Sequence, residues 1–218
     1  MSYANYAFIS AYLKGEEAKV VSHDHIDSML RASSIQDALE IIRESDIGSY
    51  LEQLTIKTFD DLDEYLWRYF VQRVTNVESF KFLPKDILKV SRAYIVKYDV
   101  LNVKSALQNI STGKKSRMIS VGIIYHNGLL DELAAAKNLD DIIGLLTKCK
   151  LGSYIPALEG YEPTGGAKYK LLVEARLDSE YYKGMLNMTR GIKDGSVLSK
   201  AVGLIIDLAN LQIASRAI

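Results

Sequence analysis

Apolar residues recur every three to four positions along most of the chain, and no stretch alternates with period two over a strand's length. That spacing predicts amphipathic helices and argues against a sheet. Behind Ser33-Ser34-Ile35-Gln36, which reads as a capping box, Ile35, Leu39 and Ile42 form an i, i+4, i+7 stripe. Asn138 caps a matching stripe of Leu139, Ile143 and Leu146. Each stripe runs to a glycine, Gly48 or Gly152, where a helix is expected to stop on a left-handed residue before Ser-Tyr opens the next one. Thr58-Phe-Asp-Asp61 starts a longer helix reaching roughly Asn76, Pro84 stands at a first-turn position, and Ile87 to Ile110 reads as one long helix. Lys170 to Lys193 and Ser196 to Ile218 make a second long pair, separated by Asp194-Gly195. The expected fold is all-α, with antiparallel helices packing stripe on stripe.

The pattern also repeats. Residues 30–51 laid on 134–155 give five identities (Ala32/Ala136, Asp37/Asp141, Gly48/Gly152, Ser49/Ser153, Tyr50/Tyr154) and eight further apolar-on-apolar pairs, where chance supplies roughly one identity. A second echo sets Tyr98-Asp-Val-Leu-Asn102-Val103 on Ile206-Asp-Leu-Ala-Asn210-Leu211, now at an offset of 108. The loop Glu162-Pro163-Thr164-Gly165-Gly166-Ala167 is the natural place for the added residues. Two tandem modules are therefore expected, residues 1–112 and 113–218, joined near Ser111-Thr112-Gly113-Lys114-Lys115. Ile218 then falls opposite Ile110, so the 218 residues read as ending at a module boundary.

Composition narrows the function classes. The 27 basic residues balance the 27 acidic ones, so no global field draws the chain to nucleic acid or to an anionic membrane. A single cysteine, Cys149, excludes an intramolecular disulfide and a cysteine-built zinc site, and fits a reducing, cytoplasmic setting. The first residues, Met1 to Lys14, show no secretory pattern. The most apolar stretch, Val197 to Ile218, is broken by Lys200, Asp207, Asn210 and Arg216, short of the roughly 20 uncharged residues of a membrane span. Any membrane is expected to be reached through a partner.

Candidate chemistry is sparse. His23-Asp24-His25 reads as a loop and helix cap, because i, i+2 histidines do not share a helical face. His126-Asn127-Gly128 reads as a turn, and Gly165-Gly166 lacks the strand and the Gly-Lys-Ser/Thr of a phosphate cradle. Cys149 reads as a core filler near a helix end, and Lys114-Lys115-Ser116-Arg117 as a solvated linker. The fourteen tyrosines are mostly core residues, with Tyr181-Tyr182 and Tyr50/Tyr154 the candidates for a partner surface. What needs an explanation is Asp99 with Asn102, and Asp207 with Asn210. A carboxylate in an apolar helix costs several kcal/mol unless paired, so each pair is expected to have a partner or a wet groove. Polar groups that fix how helices meet are the first reading. A stand-alone helical enzyme with Asp99 and Asp207 in an interior cleft is the alternative, and a general helical scaffold is a third. No catalytic, cofactor or metal residues are expected.

The chain also resembles a known family. Tyr3-Ala-Asn-Tyr-Ala7, Leu30-Arg-Ala-Ser-Ser34, Asp46-Ile-Gly-Ser-Tyr50, Tyr98-Asp-Val-Leu-Asn102, Tyr181-Tyr182, Lys193-Asp-Gly195 and Ile206-Asp-Leu-Ala-Asn210 are together similar to the C subunit of archaeal (A-type) rotary ATPases, the equivalent of the d subunit of vacuolar (V-type) ones. The resemblance implies an all-helical, non-catalytic rotor adaptor that binds no cofactor. Its implied partners are the central stalk and the membrane rotor ring, through which proton or sodium-ion transport is coupled to ATP synthesis or hydrolysis. No nucleic acid, small-molecule substrate or direct membrane insertion is implied. The family has three helical modules, so this sequence is expected to hold two of them.

Overall fold

The computed structural model describes residues 3–192 and 195–216. Asp194 of the expected Asp194-Gly195 break and the terminal Ile218 lie outside the described residues. Among the described residues every regular element is helical. They gather into two units, residues 1–84 and 85–218. The long helix that ends the first sequence copy thus packs with the second unit. The packing boundary and the repeat boundary are different features of the chain.

The first unit holds α1 (Tyr3–Glu17), α2 (His23–Met29), α3 (Ile35–Ile41), α4 (Asp46–Leu51) and α5 (Phe59–Glu78). Four of these start on a hydroxyl cap. Ser22 accepts the His25 N–H while His25 Nδ1 accepts the Ser22 N–H, so the second histidine of the His-x-His run is used in the cap of α2. The cap of α3 falls one residue later than the expected Ser33–Gln36 box: Ser34 accepts the Asp37 N–H, and the Asp37 carboxylate accepts from the Ser33 hydroxyl at 2.7 Å. Thr58 and Asp61 form the reciprocal box that opens α5. Ser45 caps α4, and Asp46 in its first turn accepts from the Tyr69 hydroxyl at 2.6 Å and pairs with Arg73 at 3.0 Å. Arg73 also pairs with Glu16, so one arginine of α5 draws α1 and α4 toward it. Phe8, Tyr12, Phe80 and Phe82 add edge-to-face ring contacts at centroid distances of 5.0 to 5.8 Å.

The second unit is built on α6 (Lys85–Thr112), followed by α7 (Ile123–His126), α8 (Leu130–Ala134), α9 (Leu139–Lys148), a 3₁₀ helix (Gly152–Leu158), α10 (Gly166–Arg190) and α11 (Gly195–Arg216). Asn138 and Asp141 box the start of α9, displaced by 104 residues from Ser34 and Asp37. The order of caps and helices is consistent with the internal repeat. Ile124, Leu133, Ile142 and Leu177 are fully excluded from solvent in one shared core. Polar ties cross it: Lys104 to Asp178 at 2.5 Å, the Tyr161 hydroxyl to the Leu107 carbonyl at 2.6 Å, and Thr189 to Ser199 at 2.6 Å.

The two repeated glycines do not end helices on left-handed residues. Gly48 lies inside α4, where a Cβ would stand 1.9 Å from the Ile42 carbonyl oxygen, so close backbone approach requires it. Gly152 opens the 3₁₀ helix, and the left-handed position after α9 is taken by Lys150, with φ of 58°. Gly195 repeats the constraint seen at Gly48, with its Cβ position 1.9 Å from the Thr189 carbonyl oxygen. We expect Gly48→Ala to destabilise the first unit by about 1–3 kcal/mol, the usual cost of overpacking. Gly144→Ala, on α9 with nothing within 4 Å of its Cβ position, should instead stabilise by about 0.5–1 kcal/mol. Urea unfolding of the two variants checks both signs.

Candidate functional site

Residues i and i+3 share a helical face, so α6 presents Asp99 and Asn102 together. Both are buried, Asp99 at 1% exposure and Asn102 at 0%. The chain segment 116–124 satisfies them. Asp99 Oδ2 accepts the Ile123 N–H at 2.8 Å, and Oδ1 accepts the Ile124 N–H at 2.9 Å. These are the first two N–H groups of α7, whose N-cap, Gly122, has no side chain to offer. Asp99 therefore does from another helix what a capping residue does locally: it satisfies orphan donors and sets negative charge at the positive end of a helix.

Asn102 pairs with Ile119 in both directions, accepting its N–H at 2.7 Å and donating to its carbonyl at 2.9 Å. Seven residues further along α6, Asn109 accepts the Ser116 N–H at 2.6 Å. Three polar side chains thus clasp one segment running antiparallel to the helix. Gly122 makes the closest approach. Its φ is +115°, and a Cβ there would lie 2.3 Å from Asp99 Oδ1, so conformation and space both demand glycine.

Burial pushes the Asp99 carboxyl from its ordinary 3.8 up to about 6, against the opposing pull of the Ile124 and Ile123 N–H groups. The Tyr154 hydroxyl is pushed up to about 12, first by burial and then by the charges of Asp99 and Glu180. Burial also raises the Cys149 thiol, which removes it as a nucleophile at neutral pH. The cavity against Asp99, between Val96, Leu146 and Tyr154, measures about 10 Å³, the lower limit for one water molecule. Both carboxylate oxygens are engaged and a substrate has no room beside them.

Asp207 and Asn210 are placed differently: both are exposed on α11. The two aspartates do not share a cleft, so the facing pair that the enzyme alternative needs is not formed. A partner or a wet groove is expected for each Asp-x-x-Asn; the α6 copy meets the backbone of segment 116–124, whereas no element among the described residues covers the α11 copy. Tyr154 and Tyr181, read as a possible partner surface, are core residues at 8% and 6% exposure. Among the described residues no group of three or more His, Cys, Asp or Glu is placed to hold a metal ion, and no helix is long and apolar enough to cross a membrane. Sequence reasoning missed Asn109, whose signal was its position seven residues after Asn102, on the same helical face.

A family model described as the ATP synthase (C/AC39) subunit matches residues 9–218. The chain belongs to the ATP synthase C/AC39 subunit family. Curated relatives named as the C subunit of A-type ATP synthase agree. The one from Methanocaldococcus jannaschii is 22% identical over 96% of this chain and 53% of its own length. That from Pyrococcus furiosus is 22% identical over 99% of this chain and 57% of its own, and that from Methanosarcina acetivorans 24% over 95% and 57%. The chain thus spans about half the length of the curated relatives it matches. No solved structure matches. Membership in the C/AC39 family fits a chain whose most constrained polar residues hold backbone and not substrate.

Removing the Asp99 carboxylate leaves two buried N–H groups without acceptors, so Asp99→Ala should cost about 3 kcal/mol and Asn102→Ala about 2 kcal/mol. Asp207→Ala, on an exposed face, should stay within about 0.5 kcal/mol. Chemical denaturation at pH 7 checks the order. The pH dependence has a definite sign. Between 3.8 and about 6 the folded chain keeps the Asp99 proton that the unfolded chain has released, so this group adds stability as pH falls. The stability difference between wild type and Asp99→Asn should therefore move in favour of wild type from pH 7 to pH 4, read from denaturation midpoints across that range.

Proposed function

We propose that this chain is a non-catalytic adaptor in the rotor of an archaeal- or vacuolar-type ATPase, linking the soluble central stalk to the membrane rotor ring. It passes torque by shape and polar contact, and so couples proton or sodium-ion movement to ATP synthesis or hydrolysis. The observation that carries this reading is the family match over residues 9–218, joined to curated relatives named as the C subunit of A-type ATP synthase. The inward chemistry supports it, since Asp99 and Asn102 are spent on the chain's own backbone. On this reading the protein is cytoplasmic and peripheral, held at the membrane by its complex. Its two sequence modules, residues 1–112 and 113–218, are two of the family's three, with Asp99, Asn102, Asp207 and Asn210 as structural groups.

Affinity purification of the tagged chain from its native host tests the proposal. Stalk and rotor-ring proteins should be recovered together with it, and the chain purified alone should hydrolyse no ATP above the blank. Recovery of neither partner overturns the reading.

A further inference from the structure

Asn127-Gly128 is the only place in the chain where glycine follows asparagine; the other seven asparagines precede Tyr, Val, Ile, Leu or Met. The pair closes the turn after α7. Asn127 is the C-cap, with φ of −85° and ψ of 2°, and Gly128 follows in left-handed backbone with φ of 70°. The Leu129 N–H donates to the Ile124 carbonyl at 3.0 Å and the Gly128 N–H to the Tyr125 carbonyl at 2.9 Å, the paired bonds of a Schellman helix end. Both residues of the pair are exposed, and nothing lies within 4 Å of the Cβ position at Gly128. The residues on either side are not free: Ile124 and Leu133 are fully buried, and the Asn127 side chain bonds to the Cys149 thiol. A chemically open dipeptide therefore joins the clasped segment to α8.

We propose that Asn127 is a site of spontaneous covalent modification, in which the Gly128 backbone nitrogen attacks Asn127 Cγ and the side-chain amide leaves as ammonia. The bond from Gly128 N to Cγ forms as the Cγ–Nδ2 bond breaks, and the proton lost from the Gly128 nitrogen departs with the ammonia. Water then opens the five-membered imide at either carbonyl, giving aspartate or isoaspartate. Nothing is oxidised or reduced, and solvent water is the only co-reactant. Glycine admits the attack because no Cβ crowds its nitrogen, whereas every other asparagine is followed by a bulky side chain. The folded turn sets the rate: ring closure needs Asn127 to rotate away from ψ of 2° and the Gly128 N–H to leave the Tyr125 carbonyl. Fraying of that kind is local, since the bonds from Asp99 hold the other end of α7. Isoaspartate carries the main chain through Cγ and lengthens it by a methylene, so the paired bonds from Gly128 and Leu129 cannot both close. Aspartate sets a negative charge at the negative end of α7 and beside Cys149. Either product marks the age of the chain at the junction of α7 and α8, whether or not the chain works in a rotor.

The test ages the whole chain at neutral pH, below its unfolding temperature, beside a free peptide of residues 118–137. Trypsin releases that same segment from the chain, and Asn127 is its only side-chain amide, so the mass gain of amide-to-acid conversion is assigned without ambiguity. Conversion at Asn127 should proceed in the folded chain at least about fivefold more slowly than in the peptide. Gly128→Ala should slow it at least about fivefold further, because a Cβ then crowds the attacking nitrogen. Circular dichroism checks the fold of that variant, and the peptide, which has no fold to lose, gives the same comparison. In the aged chain carrying isoaspartate, the Leu129 amide should exchange with solvent at least about tenfold faster than in the fresh one. Four results overturn the proposal: an Asn127 amide still intact in the chain once the peptide has converted; conversion as fast in the folded chain as in the peptide; a rate that Gly128→Ala leaves unchanged; or Leu129 exchange that ageing does not alter.

Discussion

Asp99 puts an ionised group into the interior of the second unit, where solvent cannot reach it. An unpaired charge there would undo much of the stability of a domain this size. Both of its oxygens must therefore meet donors, and the donors supplied are the opening N–H groups of α7. Much else follows from that demand. The residue before α7 must be glycine, α7 must begin beside the middle of α6, and Ile124 is carried to full burial. Asn102 and Asn109 hold the extended approach to that point, so the path between the long helix and α8 is set by backbone-directed bonds. Such bonds specify where the segment lies while leaving most of its side chains free to vary.

The first unit meets a similar problem by another route. Asp46 caps no distant helix; it gathers Tyr69 and Arg73, and through Arg73 reaches Glu16. Its counterpart at the offset of 104 is Lys150, in left-handed backbone. The two stretches each open on a capped helix, at Ser34 and at Asn138, and differ in the polar residue that follows. That much is consistent with the internal repeat read from the sequence.

Much of this was legible in the sequence. Helical period, the caps at Thr58 and Asn138, the cap of α3 to within one residue, and the oddity of Asp99 with Asn102 are local or periodic signals, and the folded chain uses each of them. What was not legible depends on contacts that residue order alone does not reveal. Gly48 resembled a helix stop because a sequence does not show that Ile42 passes within van der Waals range of it. Asp207 resembled Asp99 because register fixes the helical face and not what covers it. Asn109 lay in plain view, but its role depends on Ser116 returning along the helix.

The clasp of Asp99 and Asn102 on segment 116–124 bears the most weight, and native-state hydrogen exchange reads it directly. In the isolated chain, the amides of Ile119, Ile123 and Ile124 should exchange only through opening of the whole second unit, at the rates of the amides in the middle of α6. Exchange at the rate of an exposed loop, with α6 still protected, would contradict it: Asp99 would then be a buried charge without the partners on which the unit is built.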